Sequence, residues 1–455
     1  MHYVIVGNST AGIGAAEGIR QVDGEGVITI VGEEPYHVYS RPLIAHWIAG
    51  EVDEAGMRYR GLDFYDQHHI STRLGQRATA LDTAARTVAL ANGEKLSYDK
   101  LLIATGSVQR FPPIPGAEWE GVCDFWTFDQ AKVVRERASP AKRAVVVGAG
   151  LVGLQAAYGL REAGLEVVVV ELLDVILGRI LDTEGAQIAQ RILEANGIQV
   201  ITGCSVAEIE GDAKRGVTGV LLDDGERIDC QLVIKATGVA PNTVLVKDTP
   251  IKVNQGILVD EFFETSQPGV YAAGDVAETW DICRAQEFVN ANCPNAREQG
   301  RLAGRAMAGE PTSYAGSISM TSIPLYGWPV VSLGLIESDG AKDSYQYRVR
   351  SKPERHIYRK LVFKDDRLVG AIMIGDISNI GFVCDLIKKQ TPVGIVEDAI
   401  LGHKAQFYYF RRALHQEALE GVDRPWPESL GSTQRYEKRF DEEKWKERER
   451  GERKW

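Results

Sequence analysis

The chain has no cysteine before Cys123, only six in 455 residues, and no CxxC pair among them. Thiols scattered in this way supply neither the spacing of a zinc or iron–sulfur centre nor a framework of structural disulfides. No apolar run approaches the roughly 20 residues that span a bilayer. No basic–apolar–small leader precedes the opening strand MHYVIVG, so a cytoplasmic protein without a membrane span is expected. Basic residues are not in excess either. The net charge of −11 argues against nucleic-acid binding and leaves a protein partner open. The length exceeds one ordinary core, which predicts two or three domains.

Glycine is plentiful, and its placement carries the first functional signal. In Ala144 to Glu171, four apolar residues read as a buried strand, and Gly148, Gly150 and Gly153 turn the chain into a helix that begins near Leu151 and Val152. A second apolar run, Val167 to Val170, ends on Glu171, 23 residues after Gly148. Strand, turn, helix, strand and acid together form the dinucleotide-binding fingerprint. The glycines admit a pyrophosphate close to backbone, and the helix N-terminus offers it unpaired N–H groups. Glu171 is suited to accept both hydroxyls of an adenosine ribose and to repel a 2′-phosphate.

The same device opens the chain. Tyr3 to Val6 form a strand, Gly7 starts the turn, Ser9 stands where the middle glycine would be, and Ala11 and Gly12 lead into the helix. After the strand Val27 to Val31 come Glu33 and Glu34; either suits a ribose, and Glu33 is the better placed. Two copies about 140 residues apart imply two dinucleotide sites, one for a tightly held redox cofactor and one for an exchangeable partner.

Further motifs lie in a fixed order: YSRPLIAHWIAG with Arg41 and Pro42, LLIATGS (Leu101 to Ser107) with PPIPG, VIKATGVAPN (Val233 to Asn242), and TSQPGVYAAGDVAE with Asp275. Together they resemble the FAD-dependent pyridine nucleotide-disulfide oxidoreductase superfamily over nearly 400 residues. The resemblance implies an α/β protein with two Rossmann-like domains, for FAD and NAD(H), and a C-terminal α+β interface domain. It implies that Gly7, Ser9, Ala11, Gly12, Glu33, Arg41, Pro42, Ala78, Ala104, Thr105, Gly106 and Asp275 serve FAD. By the same carry-over Gly148, Gly150, Leu151, Val152, Gly153, Glu171 and Gly238 serve NAD. The expected layout is an FAD domain at 1–112 and 243–320, an NAD(H) domain at 113–242, an interface domain at 321–420 and a charged tail at 421–455. In the interface domain, alternating residues predict an antiparallel sheet with a hairpin turn at Asp365-Asp366, then helices near 378–390 and 394–416. The tail reads as solvated or as a segment that orders against a partner.

What this chain lacks relative to that superfamily narrows the chemistry. Disulfide reductases of the superfamily carry a cysteine pair in the first domain, and its peroxidase and oxidase branch carries one cysteine where this chain has Pro42. Members often pair a lysine and a glutamate near flavin N5; the matching positions here are His46 and Gln155, expected to form a neutral or weakly charged hydrogen-bonding pair. An imidazole in that place is suited to buffer charge on reduced flavin. Cys283 and Cys293 lie in a stretch that faces a cofactor or else are unlinked reduced thiols.

With FAD, NAD(H) and no redox thiol, electrons leave the flavin directly. The pattern resembles rubredoxin- and ferredoxin-reductase-type flavoproteins, the flavin segment of NADH nitrite reductase, and NAD-coupling flavoprotein subunits of the phenylglyoxylate dehydrogenase type. The expected function is electron transfer between NAD(H) and an iron–sulfur protein or subunit, in a larger hetero-complex or as a homodimer. The alternatives are a freestanding NADH:rubredoxin or ferredoxin reductase and a cysteine-independent NADH oxidase. A nucleotide-binding scaffold, in which flavin reduction tunes association rather than turnover, is a third. The role of Glu171 is open to test: Glu171→Ala should narrow the ratio of kcat/KM for NADH over NADPH, and an unchanged ratio would contradict its assignment.

Overall fold

Short valine- and isoleucine-rich runs without alternation are the pattern of strands buried on both faces of a parallel sheet. The computed structural model, which describes residues 1–337 and 344–392, sets both fingerprint runs at the centre of such sheets. In the first sheet His2–Val6 lies between Val27–Gly32 and Lys100–Ile103, with Ile70–Leu74 and Val270–Ala272 outermost, all parallel. In the second, Arg143–Val147 lies between Glu166–Glu171 and Leu232–Lys235, with Ile198–Thr202 and Val122–Asp124 outermost. The repeat expected from the glycines is thus a repeat of whole sheet orders. Val270–Ala272 closes the first sheet although the whole second sheet precedes it in sequence.

Each helix starts where its sequence supplies a cap or a turn. α1 (Thr10–Arg20) begins at Ser9, and the short α2 (Ile44–Ile48) continues a turn at Arg41–Leu43. α3 (Phe128–Ala138) opens on a reciprocal Thr127–Gln130 capping box, and α4 (Leu151–Glu162) begins at Gly150. α5 (Thr183–Ala195) is capped by Asp182 and α6 (Cys293–Met307) by Asn292, with a proline in the first turn of α6.

α1 and α6 touch backbone to backbone. A Cβ added at Gly14 would stand 2.7 Å from the Arg297 carbonyl oxygen, and one at Gly18 2.1 Å from that of Arg301. From the other side, Gly300 would meet the Ala11 oxygen at 2.0 Å and Gly304 the Ala15 oxygen at 2.2 Å. Only hydrogen fits at these four positions. Glu17 of α1 adds ion pairs to Arg60 at 2.6 Å and Arg297 at 3.5 Å.

The C-terminal part is an antiparallel sheet in the order Met320–Leu325, Trp328–Gly334, Arg367–Ile374, Ile357–Lys364, Tyr345–Lys352. Asp365 and Asp366 form its tight hairpin turn, both in left-handed backbone (φ +49° and +57°), which aspartate tolerates better than most residues. α7 (Ile380–Lys389) packs after it, and the expected helix at 394–416 and the tail at 421–455 lie outside the described residues. Asp182 fastens this sheet to the second parallel sheet: one oxygen accepts from Gly185 N–H, the other from Tyr358 Oη at 2.6 Å and Lys360 Nζ at 2.9 Å. Among the described residues no helix is long and apolar enough to cross a membrane.

The α1–α6 contact generates a stability prediction. Gly18→Ala and Gly300→Ala should each cost about 1–3 kcal/mol through overpacking, read as a lower urea midpoint. Gly24→Ala, where an added Cβ meets nothing within 4 Å, should leave the midpoint in place.

Candidate functional site

The two fingerprints use their glycines alike. Gly7 and Gly148 have φ of +134° and +108°, and a Cβ on them would strike the carbonyl oxygens of Ala104 and Ala236 at 2.0 and 2.4 Å. Gly12 and Gly153 would each strike the preceding turn, 1.9 Å from the oxygens of Gly7 and Gly148. These four glycines close strand, turn and helix on one another. Gly150, Gly106 and Gly238 differ: an added Cβ would meet nothing within 4 Å, so their missing side chains leave open space. Gly150 is the N-cap of α4 and Ser9 that of α1, and neither forms a side-chain cap, which leaves the first N–H groups of both helices for a ligand anion. Leu151 and Val152 form the half-buried first turn of α4. This open cradle fits a pyrophosphate at each fingerprint.

On the FAD side, Glu33 is exposed beyond its strand. Its neighbour Glu34 is engaged: it accepts from Tyr39 Oη at 2.9 Å, Arg41 Nη2 at 3.2 Å and Phe128 N–H at 2.9 Å. Arg41, expected to serve FAD, therefore has a carboxylate partner and also lies 5.2 Å from the Trp126 ring centroid. Its remaining N–H groups are still donors for an anion. Pro42 is exposed beside it. Ala78 begins the strand Ala78–Asp82 next to Gly32, whose carbonyl accepts from Gln76 N–H at 2.9 Å. Ala11 is buried against α6, so its side chain serves the frame.

The two ATG exits meet. Thr105 Oγ1 donates to the Asn242 carbonyl at 2.7 Å, Asn242 N–H donates to that of Gly106 at 2.8 Å, and Ser107–Gln109 pairs antiparallel with Val239–Pro241. Gly238 lies just before this ribbon, its carbonyl accepting from Arg110 N–H at 2.9 Å. Asp275 reaches the same place: one of its carboxylate oxygens accepts from Ser107 Oγ at 3.1 Å. Burial pushes the Asp275 carboxyl up from its ordinary range, against Ser107 and Arg41.

On the NAD side, Glu171 accepts from Ala149 N–H at 2.6 Å and Leu173 N–H at 2.9 Å, which holds its carboxylate at the mouth of the glycine turn. Two bulky neighbours, Leu172 and Leu173, stand exposed beside it.

His46 and Gln155 line one small hollow, but no hydrogen bond joins them, contrary to the expected pair. The imidazole instead bonds Glu51, whose other oxygen accepts from Tyr158 Oη. Glu51 was not legible because nothing marks a surface-loop acid as a partner. Tyr158 left a faint signal, since it follows Gln155 by one helical turn. Trp126 and the side-chain role of Ser107 were likewise missed, and Glu34, weighed only as the alternative to Glu33 for a ribose, is engaged by Tyr39, Arg41 and Phe128.

All six cysteines are free thiols. Cys123, Cys230 and Cys283 are buried, which pushes them up to about 11, 12 and 12 and leaves them poor nucleophiles. Cys293 opens α6 beside Thr10. Among the described residues no cluster of side chains could hold a metal ion.

A fold with two glycine cradles on matching parallel sheets, joined at their exits, defines a two-dinucleotide oxidoreductase scaffold. The chain belongs to the pyridine nucleotide-disulphide oxidoreductase family, whose model matches residues 1–300, and residues 320–391 match the rubredoxin NAD+ reductase C-terminal domain. Its cofactors are accordingly FAD and NAD(H). It is 32% identical to the assimilatory nitrate reductase electron transfer subunit of Bacillus subtilis over 88% of this chain, and spans only about half of that protein (50%). It is 31% identical to the NADH-dependent phenylglyoxylate dehydrogenase subunit epsilon of Aromatoleum evansii, covering 86% of this chain and 92% of the relative. The reductase fold in the covalent putidaredoxin reductase–putidaredoxin complex superposes with a TM-score of 0.82 at 25% identity, covering 91% of this chain and 99% of that one.

The open space at Gly150 gives a direct test. Gly150→Val should weaken NADH binding by at least about tenfold, or about 1.4 kcal/mol, with flavin content unchanged. Titration of the oxidised holoprotein with a non-reducing NADH analogue reads the first and absorbance the second.

Proposed function

We propose that this chain is an FAD flavoprotein that transfers electrons between NAD(H) and an iron–sulfur electron-transfer protein, as the NAD-coupling subunit of a multisubunit oxidoreductase of the phenylglyoxylate dehydrogenase type. The observation that carries the reading is the meeting of two dinucleotide cradles without any thiol pair beside them. Bound FAD supplies hydride exchange with nicotinamide and single-electron exchange with a metal cluster, a junction that nicotinamide alone does not provide.

The chain's own residues then have positional roles. The FAD frame is 1–112 with 243–320 and the NAD frame 113–242. Glu33 takes the FAD ribose, the turn Gly7 to Gly12 and Arg41 take its pyrophosphate, and Asp275 takes the ribityl chain. Thr105 and Gly106 hold the frame exit open beside it. Gly148 to Gly153 and Glu171 take the NAD(H) pyrophosphate and ribose, with Gly238 at the frame exit. The ribbon of the two exits fixes the distance between the frames, which is what hydride exchange requires.

Support for a subunit role comes from the coverage of 92% of a relative that bears a subunit name. The rubredoxin NAD+ reductase-type C-terminal domain favours a second reading, a freestanding NADH:rubredoxin or ferredoxin reductase. Untagged purification from the native source separates them: the first expects co-migration with iron–sulfur subunits, the second a lone protein. In either case NADH should bleach the flavin under anaerobic conditions within a turnover time. Fast partner-free oxygen consumption would instead support an oxidase.

A further inference from the structure

Beyond the strand Val27–Gly32 the chain runs as a loop, residues 33–40, into the turn that carries Arg41. The sequence of this loop, EEPYHVYS, forms no regular element, so its backbone groups need partners from elsewhere. On one side two backbone bonds tie it to residues 57–59. Tyr59 N–H donates to the Val38 carbonyl at 3.1 Å, and Ser40 N–H to that of Met57 at 2.7 Å. On the other side it meets the first glycine turn, and there the link is the side chain of Asn8, between Gly7 and Ser9.

Asn8 Nδ2 donates to the Tyr36 carbonyl at 3.2 Å, and Tyr65 Oη donates to Asn8 Oδ1 at 2.8 Å. The same Tyr65 oxygen accepts from Val38 N–H at 3.2 Å. The Tyr36 carbonyl can only accept, which fixes the amide nitrogen towards it and the amide oxygen towards Tyr65. Burial pushes the Tyr65 hydroxyl above its ordinary range, so it keeps the proton it gives to Asn8. His37 packs on the Tyr65 ring, the centroids 4.6 Å apart. A Cβ added at Gly32 would reach Asn8 Cβ at 2.9 Å, so this side chain lies against the strand end.

The far end of the loop returns to the cradle. Arg41 lies 5.2 Å from the Trp126 ring centroid, Trp126 Nε1 donates to the Ser107 carbonyl at 3.0 Å, and Ser107 Oγ to Asp275 at 3.1 Å. Asp275 follows Gly274, whose added Cβ would stand 2.9 Å from Ala11 Cβ in the first turn of α1. The Arg41 charge also acts on Asp275 and on Cys293 at the start of α6. Among the described residues Arg41 hydrogen-bonds only through Nη2, to Glu34, and its other N–H donors are left for an anion.

We propose that Asn8 and Tyr65 are positioning residues for FAD: they pin the 36–41 loop to the first glycine turn and so place Arg41 on the FAD pyrophosphate. This rests on the reading that Arg41 and the turn Gly7 to Gly12 take that pyrophosphate. Both ends of the Asn8 amide are committed to protein groups, and Tyr65 is buried behind it. Their effect on the cofactor therefore passes through Arg41. Position 8 needs a side chain that donates at one atom and accepts at the other, which a carboxylate or an aliphatic group does not do.

Titration of the flavin-stripped full chain with FAD tests this. Tyr65→Phe keeps the ring and removes the oxygen, and Asn8→Ala removes the amide. Each should weaken FAD binding at least about fivefold, the order expected for one or two lost hydrogen bonds. In an Arg41→Ala background either substitution should change FAD affinity by less than about twofold, the non-additivity of residues that act through a third. Should Asn8→Ala fail to fold, the Tyr65→Phe and Arg41→Ala cycle decides alone. An equal loss in both backgrounds, as from a general weakening of the fold, would overturn the proposal. If Arg41→Ala by itself binds FAD as tightly as the unaltered protein, the pyrophosphate reading of Arg41 fails and this proposal with it. A loss in Arg41→Ala without one in Tyr65→Phe overturns this proposal only.

Discussion

The rest of the FAD frame depends on the glycine-lined contact between α1 and α6. The two helices come from residues 10–20 and 293–307, so their contact closes a chain separation of nearly 300 residues. Four positions without side chains let carbonyl oxygens of one helix lie against the Cα atoms of the other. That proximity brings Gly274 and Asp275 against the first turn of α1, where an added Cβ on Gly274 would reach Ala11 Cβ at 2.9 Å. One wall of the cradle thus belongs to the start of the chain and the opposite wall to a segment far beyond the second sheet. Entropy lost in closing so long a loop grows only slowly with its length, so a modest set of close contacts suffices.

The cradles were largely legible in the sequence because their causes are local. A glycine between an apolar strand and an apolar-periodic helix has few uses besides a turn that other backbone or a ligand approaches closely. The structure separates Gly7, Gly12, Gly148 and Gly153, which pack, from Gly150, which opens space. The interface-domain hairpin was legible for a similar reason, since Asp365 and Asp366 themselves take up the turn conformation. Partner choice across long separations was not. Glu34 binds Phe128 N–H, 94 residues away, and Tyr158 finds Glu51 across 107 residues. Neither pairing has a periodic trace, because a side-chain bond fixes no repeat in the sequence around it. The glycine faces of α1 and α6 do follow helical spacing, yet glycine so close to a fingerprint reads first as part of that fingerprint.

The paired exits give the frames a common reference. Thr105, Gly106 and Asn242 exchange hydrogen bonds at the crossing, and Asp275 is tied to Ser107 beside it. A displacement of one frame is therefore felt at the Asp275 carboxylate of the other. The Asp182 contacts with Tyr358 and Lys360 hold the C-terminal sheet to the second frame by side chains alone. Backbone joins the two nucleotide frames; side chains join the C-terminal sheet to the second, through a shared apolar cluster that includes Ile323, Leu325 and Ile374 as well as through Asp182.

Glu171 has a consequence for how this protein can change over evolutionary time. Its two oxygens already close the turn by accepting from Ala149 and Leu173. The carboxylate is thus pre-oriented before any nucleotide arrives, and in the ribose role proposed for it recognition would not have to freeze its side chain. In that proposed role the same arrangement would couple coenzyme choice to folding. A single replacement that welcomed a 2′-phosphate would also strip two backbone donors of their acceptor, so a lineage shifting its coenzyme must first acquire another acceptor for those N–H groups or tolerate a weaker strand end.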